Sequence, residues 1–178
     1  MRSDRINVHP GSGESMQEDG QEAITFKPLL GMDEANLDKK GRLLLSAKKR
    51  ARLGSDFVIG LGECGCLVAY PKEVFDKICL KIMSYDAMNE GRQQYTRLTT
   101  TLVEDEINCD SEGRFVVPNK LREKAGLKDS VLILGLVDRL EIWAADEYER
   151  FNADPEHYQG RQRELIREAY DKMTNRPS

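Results

Sequence analysis

Residues 37–54, LDKKGRLLLSAKKRARLG, set the apolar run Leu43-Leu44-Leu45 between two clusters of positive charge. From Asn36 to Gly54 there are seven basic residues (Lys39, Lys40, Arg42, Lys48, Lys49, Arg50 and Arg52) against the single acid Asp38, a local excess of six in a chain whose formal net charge is −4. The stretch decides the fold because the chain repeats it. Asn36-Leu37-Asp38-Lys39-Lys40-Gly41-Arg42-Leu43-Leu44-Leu45-Ser46 returns 72 residues later as Asn108-Cys109-Asp110-Ser111-Glu112-Gly113-Arg114-Phe115-Val116-Val117-Pro118. The register holds through Lys48/Lys120, Arg50/Arg122 and Gly54/Gly126. After one residue of slip it resumes at Val58/Val131, Leu67/Leu140, Tyr70/Trp143 and Phe75/Tyr148. Agreement across positions of such different chemistry marks a tandem repeat.

Each unit spells one series of elements. D-x-x-G-R predicts a tight turn in which Gly41 or Gly113 takes a positive φ and Asp38 or Asp110 bonds backbone N–H groups two residues on. A strand follows (42–45; 114–117), then a helix of about two turns that begins at Ser46 or Pro118 and closes at Gly54 or Gly126. Two β-rich runs come next, 57–61 with 66–70 and 130–134 with 139–143. Helical periodicity without proline predicts helices over 72–83 and 88–102, and after the second unit over 146–151 and 161–173.

At 178 residues, 33% charged and 39% hydrophobic, the chain can bury the core of one medium domain or two small ones. No apolar run approaches the roughly 18 residues that cross a bilayer. The acidic, Gly- and Ser-containing start has no apolar segment of the secretory kind and reads as a disordered tail. Cys64, Cys66, Cys79 and Cys109 fit neither a disulfide framework nor a zinc spacing and are expected as reduced thiols. A sequence pI near 5.4 argues against an indiscriminate nucleic-acid coat but leaves room for binding through one basic face.

The residues needed for catalysis are not assembled. Of the two histidines, His9 lies in the tail and His157 in a polar segment after the second unit, and no phosphate-loop, dinucleotide or nucleophile-elbow motif occurs. An enzyme, a metal site and a cofactor are therefore not expected. Asp38 and Asp110 read as turn caps or partners of the following arginine rather than as a catalytic dyad. What remains is positive charge at matched positions. The candidate DNA-contacting residues are Lys39, Lys40, Arg42, Lys48, Arg50, Arg52, Arg114, Lys120 and Arg122, with Asp38, Gly41, Asp110 and Gly113 shaping the turns. A two-stranded ribbon fits the major groove, where arginine contacts phosphate or guanine. Unit two carries only a net +1 between Asn108 and Gly126, so unit one is expected to neutralise more phosphate.

D-x-x-G-R, an apolar strand, Pro, a Lys/Arg helix and Gly together resemble the swapped-hairpin SpoVT-AbrB domain. Two such units, closed by Cys66-Leu67-Val68-Ala69-Tyr70-Pro71 and Leu140-Glu141-Ile142-Trp143, resemble the MraZ family over residues 31–150. The resemblance implies an α+β fold in which two tandem swapped-hairpin β-barrel units form one pseudo-twofold domain with connecting and C-terminal helices. The expected boundaries are a disordered acidic tail at 1–27, units at 28–76 and 105–148, a helical linker at 77–104 and a C-terminal helical extension at 149–178. It also implies a cytoplasmic, nucleoid-associated transcriptional regulator of the division and cell-wall gene cluster and of its own promoter. Such a regulator binds tandem repeats in double-stranded DNA as a homo-oligomeric ring, with no membrane partner. The alternative from another class is an oligomeric protein-interaction module of antitoxin type, with the segment 161–178 free to wrap a partner. Unit one departs from the family pattern at Ser46, where proline is usual, and at Lys49, where unit two has Leu121. A lysine at that core-facing position must snorkel, or the helix must rotate.

Overall fold

The computed structural model describes residues 27–174. The expected tail up to residue 26, and the last four residues of the expected extension at 149–178, lie outside the described residues. The first unit comprises β1 (Leu29–Asn36), β2 (Arg42–Leu44), α1 (Ala47–Leu53), β3 (Asp56–Leu61) and β4 (Leu67–Pro71). Helices α2 (Lys72–Met83) and α3 (Glu90–Thr100) connect it to the second: β5 (Val103–Asn108), β6 (Arg114–Val116), α4 (Asn119–Lys124), β7 (Ser130–Val137) and β8 (Leu140–Ala144). Helices α5 (Ala145–Ala153) and α6 (Gly160–Thr174) end the chain.

The strand pairing is exchanged between units. One antiparallel sheet runs β1-β7-β8-β4-β3-β5, so the first strand of each unit pairs with the hairpin of the other. The remaining strands, β2 and β6, form a separate two-stranded ribbon. Two register pairs locate a pseudo-twofold axis. Val68 faces Glu141 and Leu43 faces Phe115, and in each case the residue meets its own repeat equivalent. The fold is the α+β arrangement of tandem swapped-hairpin units.

Period-two alternation supplies the core. Leu43 and Phe115 point inward from the ribbon onto Phe57, with the Phe57 and Phe115 rings edge-to-face at 5.2 Å. Each such side chain, fully buried, contributes about 1.5–3 kcal/mol. A second cluster covers the outer face of β7 and β8, where Trp143 stacks among Tyr148, Phe151 and Tyr158. Trp143 Nε1 donates to Glu141 Oε2 at 2.9 Å, which satisfies the indole where it is buried.

Two differences from expectation have identifiable causes, one local and one not. Helix α3 starts at Glu90 rather than Met88 because Asn89 caps it, its Oδ1 accepting from the Arg92 N–H at 2.9 Å. Strand β7 runs on to Val137 because its partner is β1 of the other unit, and that pairing lies outside any local sequence window. Helix α6 packs its buried Ile166, Ala169 and Met173 toward α3. Gly91 makes that approach possible, since a Cβ there would collide with the backbone at Lys172 and Met173.

Candidate nucleic-acid interface

The two D-x-x-G-R turns are built alike. In the first, Gly41 N–H donates to the Asp38 carbonyl at 2.8 Å, and Asp38 Oδ1 accepts from the Lys40 and Arg42 N–H groups at 2.8 and 2.9 Å. Its other oxygen takes Arg42 Nε and Nη2, both at 2.7 Å. In the second, Asp110 Oδ1 accepts from Glu112 and Arg114 N–H at 3.0 and 2.9 Å, and Oδ2 accepts from Arg114 Nε at 2.9 Å. Backbone donors, first among them the N–H of the following arginine, hold both carboxyls below the usual carboxylate range. The Asp110 hydrogen bond correspondingly raises Arg114. Both aspartates are turn caps with an arginine clamp.

The turns have one asymmetry. Arg114 also pairs through Nη1 with Glu112 Oε2 at 2.7 Å, whereas the matching position in turn one is Lys40. One end of the ribbon therefore has its arginine doubly countered, and the other adds the exposed Lys39 and Lys40. The charge imbalance legible in the sequence becomes a polarity along the ribbon.

Gly41 and Gly113 sit at φ +74° and +87°, where a side chain is strained, and each has a second reason to be glycine. The Arg122 guanidinium lies where a Cβ on Gly41 would be, and the Arg50 guanidinium does the same at Gly113. Each arginine thus braces the turn of the opposite unit. Arg50 and Arg122 are half-buried braces behind the turns rather than free cations on helix surfaces.

The ribbon itself carries the outward face. Arg42 is opposite Val116 and Leu44 opposite Arg114, so these four side chains share the side facing away from Leu43 and Phe115. Leu44 and Val116 are more than half exposed. Because β2 and β6 pair with each other, the two units together present a single ribbon. Lys48 and Lys120 are exposed on the adjoining helices. Arg52 is not part of this face: its Nη1 donates to the Pro28 carbonyl, which ties α1 to the start of β1.

The two departures of unit one converge on one partner. Lys49 is 3% exposed, and its Nζ meets Asp33 Oδ2 at 3.1 Å. Ser46 Oγ donates to the same oxygen at 2.7 Å instead of capping α1. Burial raises the Asp33 carboxyl, but the Ser46 hydrogen bond and the Lys49 ion pair outweigh it and leave the acid lowered. Lysine at the core-facing position is thus accommodated by an acid on β1, without rotation of the helix. Asp33 was not predictable as a partner, since an acid in a half-exposed strand carries no local signal. Leu44 and Val116 were legible as outward residues by alternation, but each sat in an apolar run that reads as core.

The family described as "MraZ protein, putative antitoxin-like" matches residues 29–97 and 102–165. The chain is similar to the "Transcriptional regulator MraZ" of Desulforamulus reducens, with 32% identity over 127 residues, 71% of this chain and 89% of the relative. It is equally similar to the protein of the same name from Pelotomaculum thermopropionicum, with 32% identity over 146 residues, 82% and 95% of the two chains. The protein of that name from Bifidobacterium longum shares 33% over 128 residues, 72% and 85%.

Proposed function

The chain belongs to the MraZ family, and from that premise we propose that it is a transcriptional regulator that binds double-stranded DNA through the β2–β6 ribbon. The observation that carries the reading is the pair of aspartate-held arginines, Arg42 and Arg114, set on one exposed ribbon about a pseudo-twofold axis. A clamped arginine loses less side-chain entropy on docking and presents its remaining donors in a defined direction. A two-stranded ribbon fits the major groove, and exposed apolar groups beside arginine suit contact with base methyls. Lys39, Lys40, Lys48 and Lys120 supply phosphate contacts, most of them at the end nearer turn one. Arg50 and Arg122 act through the turns they brace, and Arg52 contributes least.

The finer reading follows the family resemblance. The repeat units are 28–76 and 105–148, joined by 77–104, with a tail at 1–27 and an extension at 149–178. Copies assemble into a ring on tandem promoter repeats of the division and cell-wall cluster, including the protein's own promoter, in the cytoplasm at the nucleoid. No helix among the described residues is long and apolar enough to cross a membrane, which suits a DNA partner.

The antitoxin-type reading needs a free C-terminal segment. Helix α6 is instead docked through Ile166, Ala169 and Met173, and Asn89 Nδ2 reaches the Met173 carbonyl at 3.4 Å, which disfavours it. The test is binding to the DNA upstream of the protein's own gene, with light scattering on the same sample. Saturable binding by an oligomer supports the proposal. A stoichiometric protein partner with no DNA affinity overturns it.

A further inference from the structure

Helices α2, α3 and α6 roof the outer face of β3 and β4 without filling the space beneath them. A cavity of about 300 Å³ remains, floored by Val68 and Tyr70 and walled by Ile78, Ile82, Tyr95 and Ile166. That volume suits one small molecule. Val58 also lines the cavity, whereas its neighbour Phe57 packs under the β2–β6 ribbon, because successive residues of a strand face opposite sides of the sheet. The cavity and the ribbon are therefore separated by the thickness of the sheet.

Comparison of the two units shows why the space is open. At the repeat offset of 73, Tyr70 corresponds to Trp143, Phe75 to Tyr148 and Ile78 to Phe151. In unit two the Trp143 ring centroid stands 5.6 Å from Tyr148 and 5.0 Å from Phe151, and Tyr158 closes the cluster at 5.9 Å. Unit one has a phenol for the indole and isoleucine for phenylalanine. Among the described residues, Tyr70 packs its ring on Phe75 alone, at 6.0 Å. Side chains around an unfilled space forfeit dispersion contacts that a bound molecule restores.

The polar groups at the cavity select for charge. The Tyr70 and Tyr95 hydroxyls have no hydrogen-bond partner among the described residues, and burial raises both phenols and keeps them neutral. Glu141 accepts from Trp143 Nε1 through Oε2, and the exposed Glu63 stands at the cavity mouth. Neither carboxylate meets a basic side chain at ion-pair distance among the described residues. The two nearby cations are engaged elsewhere: Arg139 Nη1 binds Asp138 Oδ1 at 2.9 Å, and Arg163 donates to the Pro155 carbonyl. Uncountered negative charge beside aromatic faces favours a cation.

We propose that the cavity binds a small organic cation, an amine or quaternary ammonium carried on an apolar body. The body lies among Val68, Ile78 and Ile166, and the cationic head meets Tyr70, Glu63 and Glu141. The site is independent of the DNA-binding reading and is tested without DNA.

The test is isothermal titration calorimetry of the full-length protein with phenethylamine and benzyltrimethylammonium, set against phenethyl alcohol and hydrocinnamate as neutral and anionic counterparts. Saturable binding of either cation is expected, with the alcohol and the acid weaker by about tenfold or more. Ile78→Phe restores the ring of unit two and should abolish binding by filling the cavity. Glu63→Gln with Glu141→Gln should weaken the cations by about tenfold and leave the alcohol unchanged. Circular dichroism and Tm check that both variants fold. Iodoacetamide labelling locates the site: a bound cation should slow modification of Cys64 and Cys79, which line the cavity, and not of Cys109, which lies outside it. Failure of both cations to bind, equal binding of the alcohol or the acid, or full affinity in either variant overturns the proposal.

Discussion

Replacing Asp33 by alanine removes the carboxylate that faces Lys49 and leaves the lysine ammonium 3% exposed without a counter-charge. Breaking a fully buried pair in this way costs about 3–5 kcal/mol. Asp33 is 36% exposed, so solvent already screens this pair, and about 2 kcal/mol is the better figure. For a domain of this size that lowers Tm by about 4–8 °C. Lys49→Leu makes unit one like unit two at Leu121 and removes the charge instead of orphaning it. It should change stability by less than about 1 kcal/mol in either direction. The double variant Asp33→Ala/Lys49→Leu should then match Lys49→Leu alone, giving a coupling energy of about 2 kcal/mol in the cycle. Urea denaturation followed by tryptophan fluorescence, which reports on the single Trp143, measures all four proteins. The pH dependence adds a sign. The Asp33 carboxyl is lowered in the folded state, so its contribution is complete above the ordinary value of 3.8 and is lost as pH falls through the lower folded value. The advantage of wild type over Asp33→Ala should therefore shrink only below about pH 4. Asp33→Ala as stable as wild type at pH 7, or a double variant as weak as Asp33→Ala, refutes the account of Lys49.

Other expectations concern the turns, the C-terminal helix and the thiols. Gly113→Ala should destabilise by about 1–2 kcal/mol from its positive φ alone, with more from displacing Arg50. Adding Arg50→Ala should relieve only that second part, as thermal melts of the three variants would show. Gly91→Ala should loosen α6 from α3, read as faster amide exchange across 160–174 with little change in β7 and β8. Burial raises the Cys66 thiol well above its usual range, so it should resist maleimide at pH 7.5 in the native protein and react on unfolding; native labelling as fast as that of an unfolded control would contradict its placement.

The repeat made much of the fold legible. Matching Asp38 with Asp110 and Gly41 with Gly113 defined the turns, and the helical run Lys72–Met83 was read to the residue. The exchange of β1 and β5 between units was accessible only through resemblance, because nothing within either strand specifies a partner more than forty residues away. The arginines divide by what they face. Arg42 and Arg114 follow a turn whose aspartate is in the same motif, so their clamps were readable from spacing. Arg50, Arg122 and Arg52 face glycine turns or a carbonyl on other segments, and helical charge patterning treats all three as free cations. Ser46 and Lys49 were visible as exceptions, yet their shared partner on β1 emerged only when α1 and β1 were brought together in space.

Whether the β2–β6 ribbon is the DNA-binding face is decided by fluorescence anisotropy on promoter DNA across a salt titration. Wild type, Arg42→Ala, Arg114→Ala and the double variant should be compared on one fragment. Counterion release predicts affinity that falls steeply with salt, and loss of one contact per chain should reduce the slope by about one. Arg42→Ala should weaken binding and flatten the slope at least as much as Arg114→Ala, whose arginine is already countered by Glu112. Loss of binding in the double variant is the predicted result; equal affinity and salt slope for wild type and the double variant would contradict the account.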